Sequence, residues 1–115
     1  MKRRFRLTRS NDIKRVRRVG KSYAHPLVVL VLSFTPETST RIAIITGKSI
    51  GGAVERNRVR RRMRAICASF LPSMKKGFQA VLIGRAPSGG ATFEELEQSV
   101  ENVFRRANLI QNTNE

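Results

Sequence analysis

The chain has 115 residues, 40% of them hydrophobic, enough for one domain with a modest core. Its formal net charge is +15, from 23 Lys and Arg against 8 Asp and Glu, an excess that weakens the compact state unless a polyanion neutralises it. A single cysteine excludes an internal disulfide framework and a cysteine-rich metal site, and the longest apolar run, residues 27–32, is far too short to span a bilayer.

Arginine outnumbers lysine 17 to 6. Guanidinium forks grip phosphate bidentately and stack on bases, so the bias favours structured nucleic acid over the acidic proteins and anionic membranes that basic chains also bind. Residues 1–76 hold 20 basic and 3 acidic side chains, and residues 77–115 hold 3 and 5, so the first two thirds of the chain build the partner surface. The basic start is followed by no apolar run until after residue 26, which does not fit a secretory signal and, with the lone cysteine, suits the cytoplasm.

Residues 1–9 are expected as a flexible basic arm, residues 10–110 as one domain and residues 111–115 as a polar tail. Ser10 is a candidate cap for a short helix to about Val19, with Ile13 and Val16 on its inner side and Gly20 at its end. Residues 22–34 have strand character, with a possible break at His25-Pro26 that would split off a fourth short strand. A turn cluster at residues 35–40 and a second apolar strand at residues 41–46 predict an antiparallel hairpin. From Ala53 to about Leu71 the pattern is helical, with Val59, Met63, Ile66, Cys67 and Phe70 on one stripe and Pro72 as the stop. Residues 78–84 form a further strand, parallel to the one before it because a helix separates them. Thr92 and Glu95 have capping-box spacing ahead of a last amphipathic helix. The order α-β-β-α-β-α predicts an α+β two-layer sandwich, helices on a small mixed sheet.

Six arginines fall within the nine residues 56–64. On a helical wheel, Asn57, Arg60, Arg61 and Arg64 cover one outward arc, Arg58 and Arg62 flank the apolar stripe, and Arg56 projects near its other side. Like charges at i,i+4 repel, and a solvated face would interleave glutamates, whereas this helix has only Glu55. A polyanion on the arc resolves the repulsion. Gly51 and Gly52 leave room for a backbone to approach where the helix amides would meet a phosphate, although the Gly-Lys-Ser/Thr ending of a Walker loop is absent. No catalytic set accompanies these residues. His25 has no spaced partner, Cys67 lies on the apolar stripe, and five of the eight acids lie from Glu94 onward, where helix-start electrostatics account for most of them.

The segment IGGAVERNRVRRRMR at residues 50–64 resembles the RNR signature of the bacterial ribonuclease P protein family, which typically reads K-x-G-N-A-V-x-R-N-R-x-K-R. Arg6-Leu7-Thr8 with Val16 and Gly20 is similar to the family's opening helix, and the remaining elements follow in family order over roughly residues 5–108. The resemblance implies a non-catalytic subunit that binds a catalytic RNA and the 5′ leader of precursor tRNA, and assists endonucleolytic removal of that leader. It implies no cofactor on the protein itself, magnesium in the holoenzyme, and a left-handed β-α-β crossover around the signature helix. Arg56, Asn57, Arg58, Arg60, Arg61, Arg62 and Arg64, joined by Lys48, Gly51 and Gly52, would meet the catalytic RNA. A cleft between the first helix and the sheet would take the leader with Arg9, Ile13, Arg17, Tyr23, Val29 and Val31, Lys48 standing near its rim. Ile13, Arg17 and Val31 occupy positions often aromatic in the family, and Gly52 and Ser49 stand where Asn and Lys are frequent. The charge and the arginine helix by themselves also suit a ribosomal or RNA-chaperone protein, or an architectural DNA-binding protein.

Overall fold

The two strands without a charged residue take the interior of the sheet, and the two that carry Lys21 or Arg41 take its edges. The computed structural model describes residues 1–35 and 39–111. Its strands are β1 (Lys21–Ala24), β2 (Val28–Phe34), β3 (Arg41–Thr46) and β4 (Phe78–Gly84), in the order β1-β2-β4-β3. β4 carries no charge and is buried at every position except the half-buried Ile83, so it takes an interior place between β2 and β3. The expected β2–β3 hairpin therefore does not form: β2 pairs antiparallel with β1 and β4, and β3 pairs parallel with β4. β2 and β3 thus lie two strand spacings apart, about 10 Å, and residues 36–38 of the expected turn cluster lie outside the described residues. The split at His25-Pro26 does yield the fourth strand. The His25 N–H donates to the Val28 carbonyl at 2.9 Å, and the Leu27 N–H donates to His25 Nδ1 at 3.2 Å, closing the β1–β2 turn.

Alternation along the strands divides the side chains into two faces. One face presents Val28, Leu30, Leu32, Ile42, Phe78, Ala80 and Leu82, and is covered by α2 (Ala53–Phe70) and α3 (Phe93–Arg106), the helical layer of the expected sandwich. The apolar stripe of α2 is buried there at Val59, Met63, Ile66 and Cys67. Phe70, at the stripe's end, meets Phe104 of α3 edge to face, with centroids 5.8 Å apart. The capping box forms as expected: the Glu95 N–H donates to Thr92 Oγ1 at 3.1 Å, and the Thr92 N–H donates to Glu95 Oε1 at 2.8 Å.

α1 (Ser10–Val19) lies across the opposite face, with Val16 wholly buried against Val31, Ala43 and Val81. Ser10 is not its cap. Arg9 holds the cap position in extended conformation, with no side-chain cap bond, and Ser10 is the first helical residue. Gly20 ends the helix because nothing larger fits: a Cβ there would stand 2.5 Å from the Val16 carbonyl oxygen and 2.8 Å from Val31 Cγ1. Residues 1–7, expected as a flexible arm, lie along β3. Arg6 forms a parallel bridge with Ile42, the Leu7 N–H donates to the Ile42 carbonyl at 2.9 Å, and Leu7 is buried. The free edge of β3 and the apolar Phe5 and Leu7 supply the reason, since each covers what the other leaves open. Of the expected tail, residues 112–115 lie outside the described residues.

Candidate nucleic-acid interface

α2 begins after two glycines that do different work. Gly51 has φ +148°, a conformation L side chains rarely adopt, and Gly52 takes the extended cap position. No side chain caps Gly52, and Glu55 leans over both glycines, its Oε1 3.2 Å from where a Gly52 Cβ would lie. The one acid of α2 thus already sits at the positive end of the helix dipole.

Five of the six arginines divide into two groups. Arg58 and Arg62 turn toward the 86–91 segment, where their guanidinium groups donate to the carbonyls of Gly89 and Ala91, each at 3.2 Å. These two pin the loop ahead of α3 while leaving N–H groups available outward. Asn57 and Arg61 are exposed, Arg60 donates to Asn57 Oδ1 at 2.7 Å, and Arg64 continues the arc beside Arg6. Burial first, then repulsion from Arg6 and Arg60, pulls the Arg64 guanidinium below its ordinary pKa. Among the described residues the one ion pair is Arg105–Glu101, far along the chain on α3, so no carboxylate neutralises the arc. Arg56 is half-buried at the first turn, and Lys48 is exposed in the Lys48–Ile50 turn just after β3.

On the opposite sheet face, α1 leaves a strip of β-sheet uncovered. Strand register aligns Ala24, Val29, Ile83 and Ile45 in one row across all four strands. The parallel row Ser22, Val31, Val81 and Ala43 lies next to it, its last three residues buried with Val16. Arg15 hydrogen-bonds Gln79 on the far side of that buried row. Arg17 lies about 200° round the helix from Arg15, on the flank shared with Ile13, which faces the open row. The result is a shallow trough: an aliphatic floor of Val29, Ile83 and Ile45, and a wall of Ile13 and Arg17. Arg9 is exposed at the start of α1.

Two expected cleft residues are not in this trough. Tyr23 pairs with Leu30 and packs against the α2–α3 side, so its ring is on the wrong face. Val31 is only 5% exposed beneath α1 and offers a ligand no surface. Sequence reasoning missed Ile45 and Ile83, because their membership depends on register between strands distant in sequence. It also missed Arg85, exposed immediately after Ile83 and Gly84, whose guanidinium donates to the His25 carbonyl at 3.2 Å.

The nucleophile and acid–base candidates among the described residues are engaged elsewhere. His25 is engaged in a turn, and burial pushes the Cys67 thiol up to about 12, leaving no thiolate near neutral pH. No cluster of three or more His, Cys, Asp or Glu able to hold a metal ion occurs among the described residues. No helix among them is long and apolar enough to cross a membrane.

The chain's sequence matches the Ribonuclease P family model over residues 1–108. The chain belongs to the ribonuclease P protein family. The ribonuclease P protein component of Symbiobacterium thermophilum is 37% identical over 112 residues, 96% of this chain and 97% of that one. The ribonuclease P protein component of Herpetosiphon aurantiacus is 34% identical over 109 residues, 95% and 89% of the two chains. Among solved structures, the Staphylococcus aureus RNase P protein superposes with a TM-score of 0.85 at 24% identity, covering 93% of this chain and 98% of that one. The Thermotoga maritima RNase P protein gives 0.78 at 24% identity, over 88% and 96%. The chain is therefore a protein subunit of ribonuclease P, the ribonucleoprotein endonuclease that removes the 5′ leader from precursor tRNA. Family membership decides against the ribosomal, chaperone and DNA-binding alternatives.

Proposed function

We propose that this subunit holds two parts of one RNA assembly on opposite faces of its sheet. The arc of Asn57, Arg60, Arg61 and Arg64 docks on the catalytic RNA, with Arg56, Lys48, Gly51 and Gly52 at its leading end. Arg58 and Arg62 serve the same interface at second hand, fixing the loop that shapes its border. The trough of Val29, Ile45, Ile83 and Ile13 receives the leader of precursor tRNA, with Arg17, Arg9 and Arg85 available to its phosphates. Aliphatic floors contact bases without the ring faces that contribute about 1–3 kcal/mol per stacked base, so the leader is held with less base contact and more charge.

The observation that carries this reading is the arginine arc left without a carboxylate partner among the described residues. By the family resemblance, the chemistry is assigned to the RNA and its magnesium, with no catalytic role for the chain's own residues. The protein neutralises phosphates and so lowers the magnesium needed to fold and activate the RNA. The site of action is the cytoplasm, with tRNA precursors.

The test is cleavage of precursor tRNA by a bacterial ribonuclease P RNA at low magnesium, with the wild-type chain, an Arg60→Ala/Arg61→Ala variant and an Ile83→Asp variant. Wild type restores cleavage at the mature 5′ end, the arginine variant needs more magnesium or more protein, and Ile83→Asp loses preference for precursor over mature tRNA. An unchanged magnesium requirement on adding the wild-type chain sinks the mechanism.

A further inference from the structure

The outward arc of α2 does not stop at Arg64. One helical turn further along it, Ala68 forms part of a groove of about 300 Å³ floored by Phe5, Ala68, Leu71 and Pro72 and rimmed by Lys2, Arg4 and Lys76. Phe5 is also the wall of an adjoining groove of about 430 Å³, in which Arg4 and Lys76 are joined by Arg41. The Arg4 guanidinium stands 4.9 Å from the Phe5 ring centroid. No Asp or Glu lines either groove among the described residues. The cations Lys2, Arg4 and Lys76 are exposed and take part in no ion pair among the described residues.

The N-terminal segment is what joins the two regions. Its Arg6 is fastened by the bridge to Ile42, its carbonyl accepts from the Arg41 guanidinium at 3.3 Å, and its own guanidinium donates to the Met1 carbonyl at 3.1–3.2 Å. Arg6 is close enough to Arg64 to repel it. The basic surface therefore runs unbroken from Asn57 to Arg64, across Arg6, to the Phe5 grooves. The helical part alone, Asn57 to Ala68, measures about 17 Å at ~1.5 Å per residue.

We propose that the paired grooves around Phe5 are a second docking site for the catalytic RNA, taking a non-helical stretch of the strand whose phosphates meet Lys2, Arg4 and Lys76. This rests on the reading that α2 docks on that RNA. The apolar floor argues for unstacked, non-helical RNA, because a duplex presents only its phosphate ridges and grooves to such a surface. The position argues for the catalytic RNA over the leader: Phe5, Ala68 and Leu71 belong to the α2 side, whereas the leader trough lies across the sheet. The segment 1–7 is then part of the docking surface.

The experiment measures the affinity of ribonuclease P RNA for the full chain at several salt concentrations, for wild type, Lys2→Ala/Arg4→Ala/Lys76→Ala and Arg60→Ala/Arg61→Ala. Thermal melts of the free proteins establish that both variants fold. Three lost phosphate contacts on non-helical RNA lower the slope of log affinity against log salt by about 2, and affinity near physiological salt falls with it. Discrimination of precursor from mature tRNA by the assembled enzyme stays at the wild-type ratio. The proposal is overturned if the triple variant keeps wild-type slope and affinity while the Arg60/Arg61 variant loses both. A changed precursor-to-mature ratio with unchanged affinity for the catalytic RNA overturns it too, and assigns the grooves to substrate. If the Arg60/Arg61 variant also binds normally, the α2 docking reading fails first and this one with it.

Discussion

α2 and α3 pack side by side on the same face of the same sheet, and each buries an apolar stripe of similar make-up. Their outer surfaces are opposites. α3 has a complete capping box, acids in its first turn, Arg105 and Arg106 in its last, and an Arg105–Glu101 pair at i,i+4. Local interactions and the helix dipole agree at every turn. α2 has a glycine cap without a side-chain bond, no basic residue in its last turn, and its cations massed in the middle, where they repel. The charge of one helix is balanced within its own chain, and that of the other is left unbalanced among the described residues. Surface charge that serves folding is balanced, whereas surface charge kept at the cost of folding points to what binds it.

That contrast can be broken in four ways. The largest effect is expected from Arg60→Ala/Arg61→Ala. Two charge-assisted phosphate contacts at ~1.5–3 kcal/mol each put the loss of RNA affinity at about 100-fold or more. The free protein's melting temperature should hold or rise, because repulsion is relieved. A lower melting temperature would mean that these arginines stabilise the fold and that the contrast is false. The second effect is in α3: Thr92→Ala removes the cap and should cost about 1 kcal/mol in denaturant unfolding. Its RNA salt slope should match wild type, and a shallower slope would place α3 in the interface.

Arg62→Ala is the third case and blurs the two classes. It removes the bond to the Ala91 carbonyl, so a loss of about 0.5–1.5 kcal/mol in stability should accompany a smaller loss in RNA affinity than the Arg60/Arg61 pair shows. Hydrogen exchange should quicken in the 86–91 segment. An effect on affinity alone would show that this arginine leaves its carbonyl for phosphate. The smallest effect is expected from Arg105→Ala, at about 0.3–0.5 kcal/mol, because a half-exposed i,i+4 pair is screened by solvent. Raising the salt should shrink that difference while it weakens RNA binding by orders of magnitude.

Cys67 supplies a separate check on the shared core. Its folded pKa, raised to about 12 by burial, lies above that of an unfolded thiol near 8.5. The stability this contributes is fully present below the unfolded value and is lost as pH rises toward 12. At pH 8 a thiol reagent should label Cys67 only at the rate of opening, and fast labelling of the native protein would show the α2–α3 core to be loose.

Much of this protein was decided by local sequence. The helical stripes at Val59–Phe70 and Leu96–Phe104, the capping box at Thr92, the Pro26 break and the arginine arc follow from periodicity and residue chemistry along continuous stretches, and each is in place in the fold. Charge counting alone pointed to a polyanion, and the RNR-like segment pointed to the family. Only the tertiary structure decided what depends on register and on neighbours distant in the chain. It seated β4 between β2 and β3, turned Tyr23 away from the trough, sank Val31 beneath α1, and brought Ile45 and Ile83 into one row with Val29. It also laid residues 1–7 along β3 and set Arg6 beside Arg64. The physical reason is common to all of these. Helix faces are set by residues three and four apart, but a sheet face is set by which strand pairs with which, and that choice is made by burial over the whole chain.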